Sequence, residues 1–488
     1  MKKLLIALTL AAAVLSPLFA ADTSRLLSNP ALPPVECLDR LRLKMAWTAT
    51  VPMQGRRDGL FSVQLLPGEK GPELLVQTRS GGVLSYDATT GVLRWSTRVG
   101  TPYRLAQPLA YNQDSVFAIS NIDLIALDRA TGRLLWEFDL PSGAAAPPGA
   151  DEDSIYVSMT NGRVGAYTLP NPALEAKLAR QGKTTGTATP MATVPQGARA
   201  VKGIDLHAIG PLSGVHEGER MAHLGLQPVL RYSFVPDQRV EQAPVPTRER
   251  VLLAGLGGQI VGLGKGGPKL AWPPVYTRGK ILVPVGHYDE TAYVASNDAT
   301  VYAISITTGR GFWRSSVGGV PTDRPAVLDE DLYVAADRAG VVRLDRGSGE
   351  ERWRNDEATR YLASNKAFVY AADRHGRLLI LDRARGNTLS SYDGTGEFVF
   401  PVQNDLTDRV YLAANNGLIV CLHDRDAATP VVMKTVKERA PLPAPGGAKP
   451  APREPADEDS GAKPAPKEPK DEGAGAKPKA PGGAMEKP

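Results

Sequence analysis

Cysteine is nearly absent from this chain: there are two in 488 residues, Cys37 and Cys421, at opposite ends of the apolar-patterned region. At most one internal disulfide is available, and no pair of cysteines sits close enough in sequence for a short-spaced metal or redox motif. Beyond the first two dozen residues no apolar stretch approaches the ~20 residues that a membrane-spanning helix requires, so no transmembrane segment is expected. Aromatic residues amount to only 6% of the chain. Lysine plus arginine number 57 against 52 aspartates plus glutamates, a formal charge of +5. The excess is spread along the chain without a dense basic stripe, so no nucleic-acid partner is implied.

What is plentiful is glycine (49) and proline (41), a balance that suits many short strands joined by turns better than long helices. The N-terminus has its own signature. Met1-Lys2-Lys3 is a short basic start, Leu4 to Leu15 is apolar, and Ser16-Pro17-Leu18-Phe19-Ala20-Ala21-Asp22 ends in small residues. This is the three-part layout of a signal peptide cut after Ala20 or Ala21, and it predicts export. No cysteine follows the apolar run, so no lipid anchor is expected at the mature N-terminus.

The body of the chain repeats. Gly82-Val83-Leu84-Ser85-Tyr86-Asp87-Ala88-Thr89-Thr90-Gly91-Val92-Leu93-Arg94-Trp95 returns as Asp123 to Trp136, Thr300 to Trp313 and Gly340 to Trp353. Each copy reads as a strand, a tight turn closed by Gly91, Gly132, Gly309 or Gly349, and a second strand with tryptophan four residues after the glycine. The glycine supplies the positive φ such a turn needs. Trp95 and Trp136 are 41 residues apart, as are Trp272 and Trp313, and Trp353 follows 40 residues later. Tyr232 stands 40 residues before Trp272, at the same repeat position. Five of the six tryptophans therefore occupy one site in the repeat. The sixth, Trp47, lies in a segment matching only a final strand, while residues 409–422 match earlier strands with no tryptophan strand after them. The two fragments complement each other.

Counting gives eight units, at 60–100, 105–140, 146–235, 242–275, 281–317, 320–355, 360–393, and 396–423 joined with 42–53. A period near 40 residues with about four strands per unit is propeller spacing. The fold expected is an all-β, eight-bladed β-propeller of four-stranded antiparallel blades, closed by the N-terminal strand joining the last blade; closure removes the open sheet edge. The expected layout is a signal peptide at 1–21, a propeller at 22–436 with an insert at about 170–229 in blade three, and a Pro/Ala/Lys/Glu-rich tail at 437–488. The tail repeats Gly-Ala-Lys-Pro-Ala-Pro-(Arg/Lys)-Glu-Pro at 447 and 461. It has too few apolar side chains to offset its ordering entropy, so disorder is expected.

These repeats resemble the quinoprotein-type (PQQ-like) propeller repeat, an apolar-Ala-apolar-Asp strand followed by Thr-Gly and Trp, over roughly residues 42 to 423. That family has a branch of quinone-dependent dehydrogenases and a non-enzymatic branch typified by the outer-membrane assembly factor BamB. The dehydrogenases typically carry an adjacent Cys-Cys pair and a calcium site; here the cysteines are 384 positions apart, and no carboxylate cluster stands out. The resemblance therefore implies the BamB-like branch, a non-enzymatic scaffold in the periplasm or cell envelope whose partners are other envelope proteins, with outer-membrane barrel-assembly components among the candidates. The alternatives are a quinone-dependent periplasmic dehydrogenase and a secreted propeller holding a glycan or small ligand in its central funnel.

No catalytic, cofactor or metal site is expected. Trp47, Trp95, Trp136, Tyr232, Trp272, Trp313 and Trp353 read as blade-docking residues, because a cofactor needs one platform and not a recurring one. The glycine-rich run from Gly255 to Gly267 has Gln259 where a phosphate loop needs its first glycine, and Gly266 where Ser or Thr must follow the lysine. His207, His216 and His223, in the insert, are spaced too loosely for a local metal motif. Cys421 falls at a small-residue repeat position with its cross-strand neighbour near Ala46. A disulfide to Cys37 is permitted by export, provided the chain folds back far enough to bring the two together.

Overall fold

The structure, a computed structural model, describes residues 30–55, 57–68, 71–170 and 227–435. The signal-peptide segment, the bulk of the blade-three insert with its three histidines, and the tail from 437 lie outside the described residues. The rest forms eight four-stranded sheets, every strand pair antiparallel. Blade one spans Leu60 to Arg98, blade two Ala106 to Asp139, blade three Gly149 to Phe234, and blade four Val245 to Tyr276. Blade five spans Gly286 to Ser316, blade six Ala326 to Asn355 and blade seven Arg360 to Tyr392. Blade eight takes three strands from Phe400 to Asp424 and its outermost, Leu43–Thr50, from the other end of the chain. The ring is thus an eight-bladed propeller closed by the two chain ends, in the unit arrangement read from the repeats.

The burial of each strand follows its place in the blade. Second and third strands are covered on both faces by neighbouring blades and read as continuous apolar runs; Asp331–Ala336 is buried throughout. Fourth strands alternate, as Leu93–Arg98 does, because their outer side faces solvent. First strands of neighbouring blades touch one another, which places them at the hub. Strand direction fixes two faces. The loops joining second to third strands, and each blade to the next, emerge on what is here termed the upper face. First-to-second and third-to-fourth connections emerge on the lower face.

In seven blades the register between third and fourth strands shifts by one residue just before the tryptophan position. The bulged residue (Arg94, Leu135, Arg231, Phe312, Arg352, Leu389 or Ala46) is left without a partner, as expected of a β-bulge. The bulge turns the next side chain toward the neighbouring blade. In blade eight it makes Trp47, and not Ala46, the residue opposite Cys421.

Candidate functional site

The repeat residues meet at the lower face. Trp47, Trp95, Trp272, Trp313 and Trp353 each donate an indole N–H to a backbone carbonyl in the third-to-fourth-strand turn of the next blade. The acceptors are Ala88, Arg129, Ile306, Arg346 and Arg383, at 2.7–3.2 Å. Tyr232 makes the equivalent bond through its hydroxyl to Gly264 O at 3.2 Å. Beneath each tryptophan lies the turn glycine of that next blade. A Cβ on Gly349 would collide with the Trp313 ring, and Gly91, Gly132 and Gly309 meet Trp47, Trp95 and Trp272 in the same way. Gly349 also holds φ at +74°, so the position excludes side chains twice over. Trp136 packs against Phe117, centroids 5.9 Å apart, in the cluster between blades two and three; blade three carries the insert where the next turn glycine would stand.

One turn glycine escaped the sequence reading. Gly386 of blade seven sits under Trp353, in Asp382-Arg383-Ala384-Arg385-Gly386, which parallels Asp128-Arg129-Ala130-Thr131-Gly132. Its blade has Ser390 at the tryptophan position, so the repeat signal was lost there. The substitution has a reason: blade eight's third and fourth strands come from opposite chain ends, so it offers no such turn for a tryptophan to cover. A short helix, α1 (Val35–Arg40), takes that role. Its Leu38 is buried among Leu362, Tyr370 and Ile380 of blade seven and Val420 and Leu422 of blade eight.

The same packing corrects the disulfide expectation. Cys37 and Cys421 are both free. Cys421 belongs to the cluster facing blade one, with Trp47 and Tyr411, whereas α1 packs on the side of blade eight facing blade seven. A bond would have to pass through the sheet. Cys421 serves as a small residue facing a tryptophan, as Ser85, Ala126 and Ala303 do. Burial pushes its thiol up to about 12, so it stays protonated and unreactive. Neither cysteine supplies the adjacent pair that the quinone-dependent branch carries. Among the described residues no group of three or more His, Cys, Asp or Glu is placed to hold a metal. The glycine-rich run is an ordinary blade strand, Gln259–Gly264, with its two turns.

Away from these docks, two adjoining clefts of about 370 and 330 Å³ open on the upper face across blades five to eight, sharing Thr322, Arg360 and Val399. Arg324 and Arg360 line them, with Arg374 on the far wall. Arg324 is held in place: its Nη2 lies 3.3 Å from Asp405 Oδ2, its Nε–H donates to Gln403 Oε1 at 3.3 Å, and Gln403 Nε2 donates to Arg324 O at 2.7 Å.

Beneath this floor the segment Val431–Thr435 runs along the lower ends of the innermost strands, from blade eight past blade six to blade five. Met433 N–H donates to Leu406 O and Asp329 N–H to Met433 O. Thr435 N–H and Oγ1–H both donate to the Asp329 carboxylate, at 2.7 and 2.8 Å. Lys434 Nζ bridges His287 O at 3.1 Å and Asp405 Oδ2 at 3.3 Å. Burial pushes the Asp405 carboxyl up, but the Arg324 and Lys434 charges outweigh it and hold Asp405 at about 2. Lys434 is buried with that one shared carboxylate, and burial holds it below the ordinary lysine value.

A closed ring of eight blades with recurrent Thr/Ser-Gly…Trp docks defines a propeller of the PQQ-like repeat class. The comparisons place it more narrowly. A family described as outer membrane protein assembly factor BamB matches residues 79–171 and 238–447, and the chain belongs to that family. The outer membrane protein assembly factor BamB of Shewanella oneidensis is 26% identical over 134 residues, 26% of this chain and 33% of that protein. Protein Rv3035 of Mycobacterium tuberculosis is 27% identical over 159 residues, 29% of this chain and 39% of that protein. The matched stretches thus span between 33% and 39% of the length of these curated relatives. Among solved structures, BamB from Moraxella catarrhalis has a TM-score of 0.52 at 16% identity, covering 78% of this chain and 97% of its own. The computationally designed Ika8 protein has the same TM-score at 12% identity, covering 76% and 98%. At such identities the likeness is one of fold.

Proposed function

We propose that this chain is an exported, non-enzymatic propeller that serves as a protein–protein interaction scaffold in the cell envelope, in the manner of an outer-membrane protein assembly factor. The observation that carries this reading is the family match on both sides of the insert. An upper face with exposed apolar side chains in its loops supports it: Tyr103, Leu105, Ile122, Leu282 and Val320 are 37–66% exposed. Exposed apolar groups gathered on a rigid loop face suit partner binding. In this proposal residues 1–21 direct export and are removed, and the partners are other envelope proteins. Among the described residues no helix is long and apolar enough to cross a membrane.

Affinity capture from envelope extract, with the full chain and with a chain lacking residues 437–488, tests the proposal. Recovery of an outer-membrane assembly protein by the full chain is the expected result, and recovery by the shortened chain as well would assign the contact to the propeller. Recovery of no envelope protein by either chain would overturn it.

A further inference from the structure

We propose that the upper-face cleft over blades five to eight docks an acidic, partly apolar segment of a partner protein. The proposal rests on the scaffold reading above and adds the chemistry of what is bound.

The argument is one of unbalanced charge on a shaped surface. Three guanidinium groups line the two clefts, from Arg324, Arg360 and Arg374. Their carboxylate partners are two, Asp323 and Asp405, and the second is shared with Lys434. Asp323 meets Arg360 only through Nε, at 3.1 Å. Asp405 divides its charge between Arg324 and Lys434. Asp373, on the cleft wall, is taken by Arg377 at 2.7 Å. Among the described residues Arg374 meets only His375, through Nε at 3.0 Å. Among the described residues, Arg324 Nη1 and both terminal nitrogens of Arg360 and Arg374 have no acceptor.

Arg324 is also pre-oriented. Gln403 and Asp405 fix its fork from blade eight, and Lys434 fixes Asp405 in turn, so little side-chain freedom remains to be lost on binding. A planar guanidinium held this way suits bidentate contact with a carboxylate. Between the arginines the cleft wall is partly apolar, with Phe398, Val399 and Leu412 beside Thr322, Thr359 and Thr395. Cations alone would suit any small anion; cations spaced along an open apolar cleft favour a segment that alternates carboxylate and aliphatic side chains.

The test uses the purified full chain and a fluorescein-labelled short peptide of alternating Glu and Leu, with the Lys/Leu peptide as its counterpart, read by anisotropy. The acidic peptide should bind and the basic one should not. The double variant Arg324→Gln/Arg360→Gln should weaken binding by about ten-fold or more, and Arg278→Gln, on the same face outside the clefts, should leave it unchanged. Circular dichroism melts of the variants verify that they are folded. No binding of the acidic peptide, or equal binding by the double variant, would overturn the proposal. So would displacement of the peptide by free pyrroloquinoline quinone at lower concentration, which would mark a small-molecule site. If the double variant still captures an envelope protein from extract while losing the peptide, the scaffold reading stands and the cleft is not the partner's site.

Discussion

On the lower face the turns are fastened to the blade before them by an indole N–H and a glycine under the ring. Ion pairs reinforce several of these joins: Arg129 with Glu73 at 3.1 Å, Lys265 with Asp151 at 2.9 Å and Arg383 with Asp331 at 2.7 Å. On the upper face no indole ties the loops among the described residues, and the backbone carries more local strain. Of the six non-glycine residues with positive φ among those described, Tyr103, Asn121, Ala299 and Arg338 lie there. Under-compensated arginines lie there too, while exposed apolar side chains occur on both faces, Val92 and Leu270 on the lower among them. The contrast teaches a division of labour. Packing that repeats once per blade holds the ring, so it concentrates where the repeats are regular. Residues that do not repeat are placed on the opposite face, where they are free to differ.

The largest effect expected from breaking this contrast is on the lower face. Trp353→Ala removes a buried ring between blades six and seven and should cost about 3–5 kcal/mol, read as a fall in the denaturation midpoint without loss of peptide binding at the cleft. An unchanged midpoint would contradict the docking role.

A somewhat smaller effect belongs to Asp405 at the hub. Its folded pKa lies below the unfolded value of about 3.9, so its ionised form stabilises the fold, by roughly 2–3 kcal/mol. That contribution is present above the unfolded value and is lost as the pH falls toward about 2. Stability measured against pH should show this slope in the full chain and lose it in Asp405→Asn, which is also destabilised at neutral pH because two cations are left facing one another.

Gly349→Ala should cost about 1–3 kcal/mol through positive φ and the Trp313 contact, measured by the same denaturation. The smallest stability effect lies on the upper face: Tyr103→Ser with Leu105→Ser should stay within about 0.5 kcal/mol.

How much of this could be read from residues alone followed the same division. The blades, the closing strand and the Trp and Gly positions were legible because each recurs at a fixed spacing. Gly386 was not, since Ser390 had replaced the tryptophan that would have marked it. Helix α1 and the Val431–Thr435 segment were not, because each occurs once and has no periodic partner to be compared with. The basic cleft was out of reach for a different reason. Arg324 comes from the connection into blade six, Arg360 and Arg374 from blade seven and Gln403 from blade eight, and only the closed ring brings them together. Whether Cys37 and Cys421 could bond was open in the sequence because it turns on a feature that spacing does not encode, namely which side of one sheet each thiol occupies.

The most direct test of the central claim, that an envelope partner docks on the upper face, is photo-crosslinking in living cells. A photoreactive residue at Val399 in the cleft wall and another at Val92 in an exposed lower-face turn give the comparison. The account predicts adducts with an envelope protein from Val399 and none from Val92. Adducts from Val92 alone, or from neither position, would contradict it.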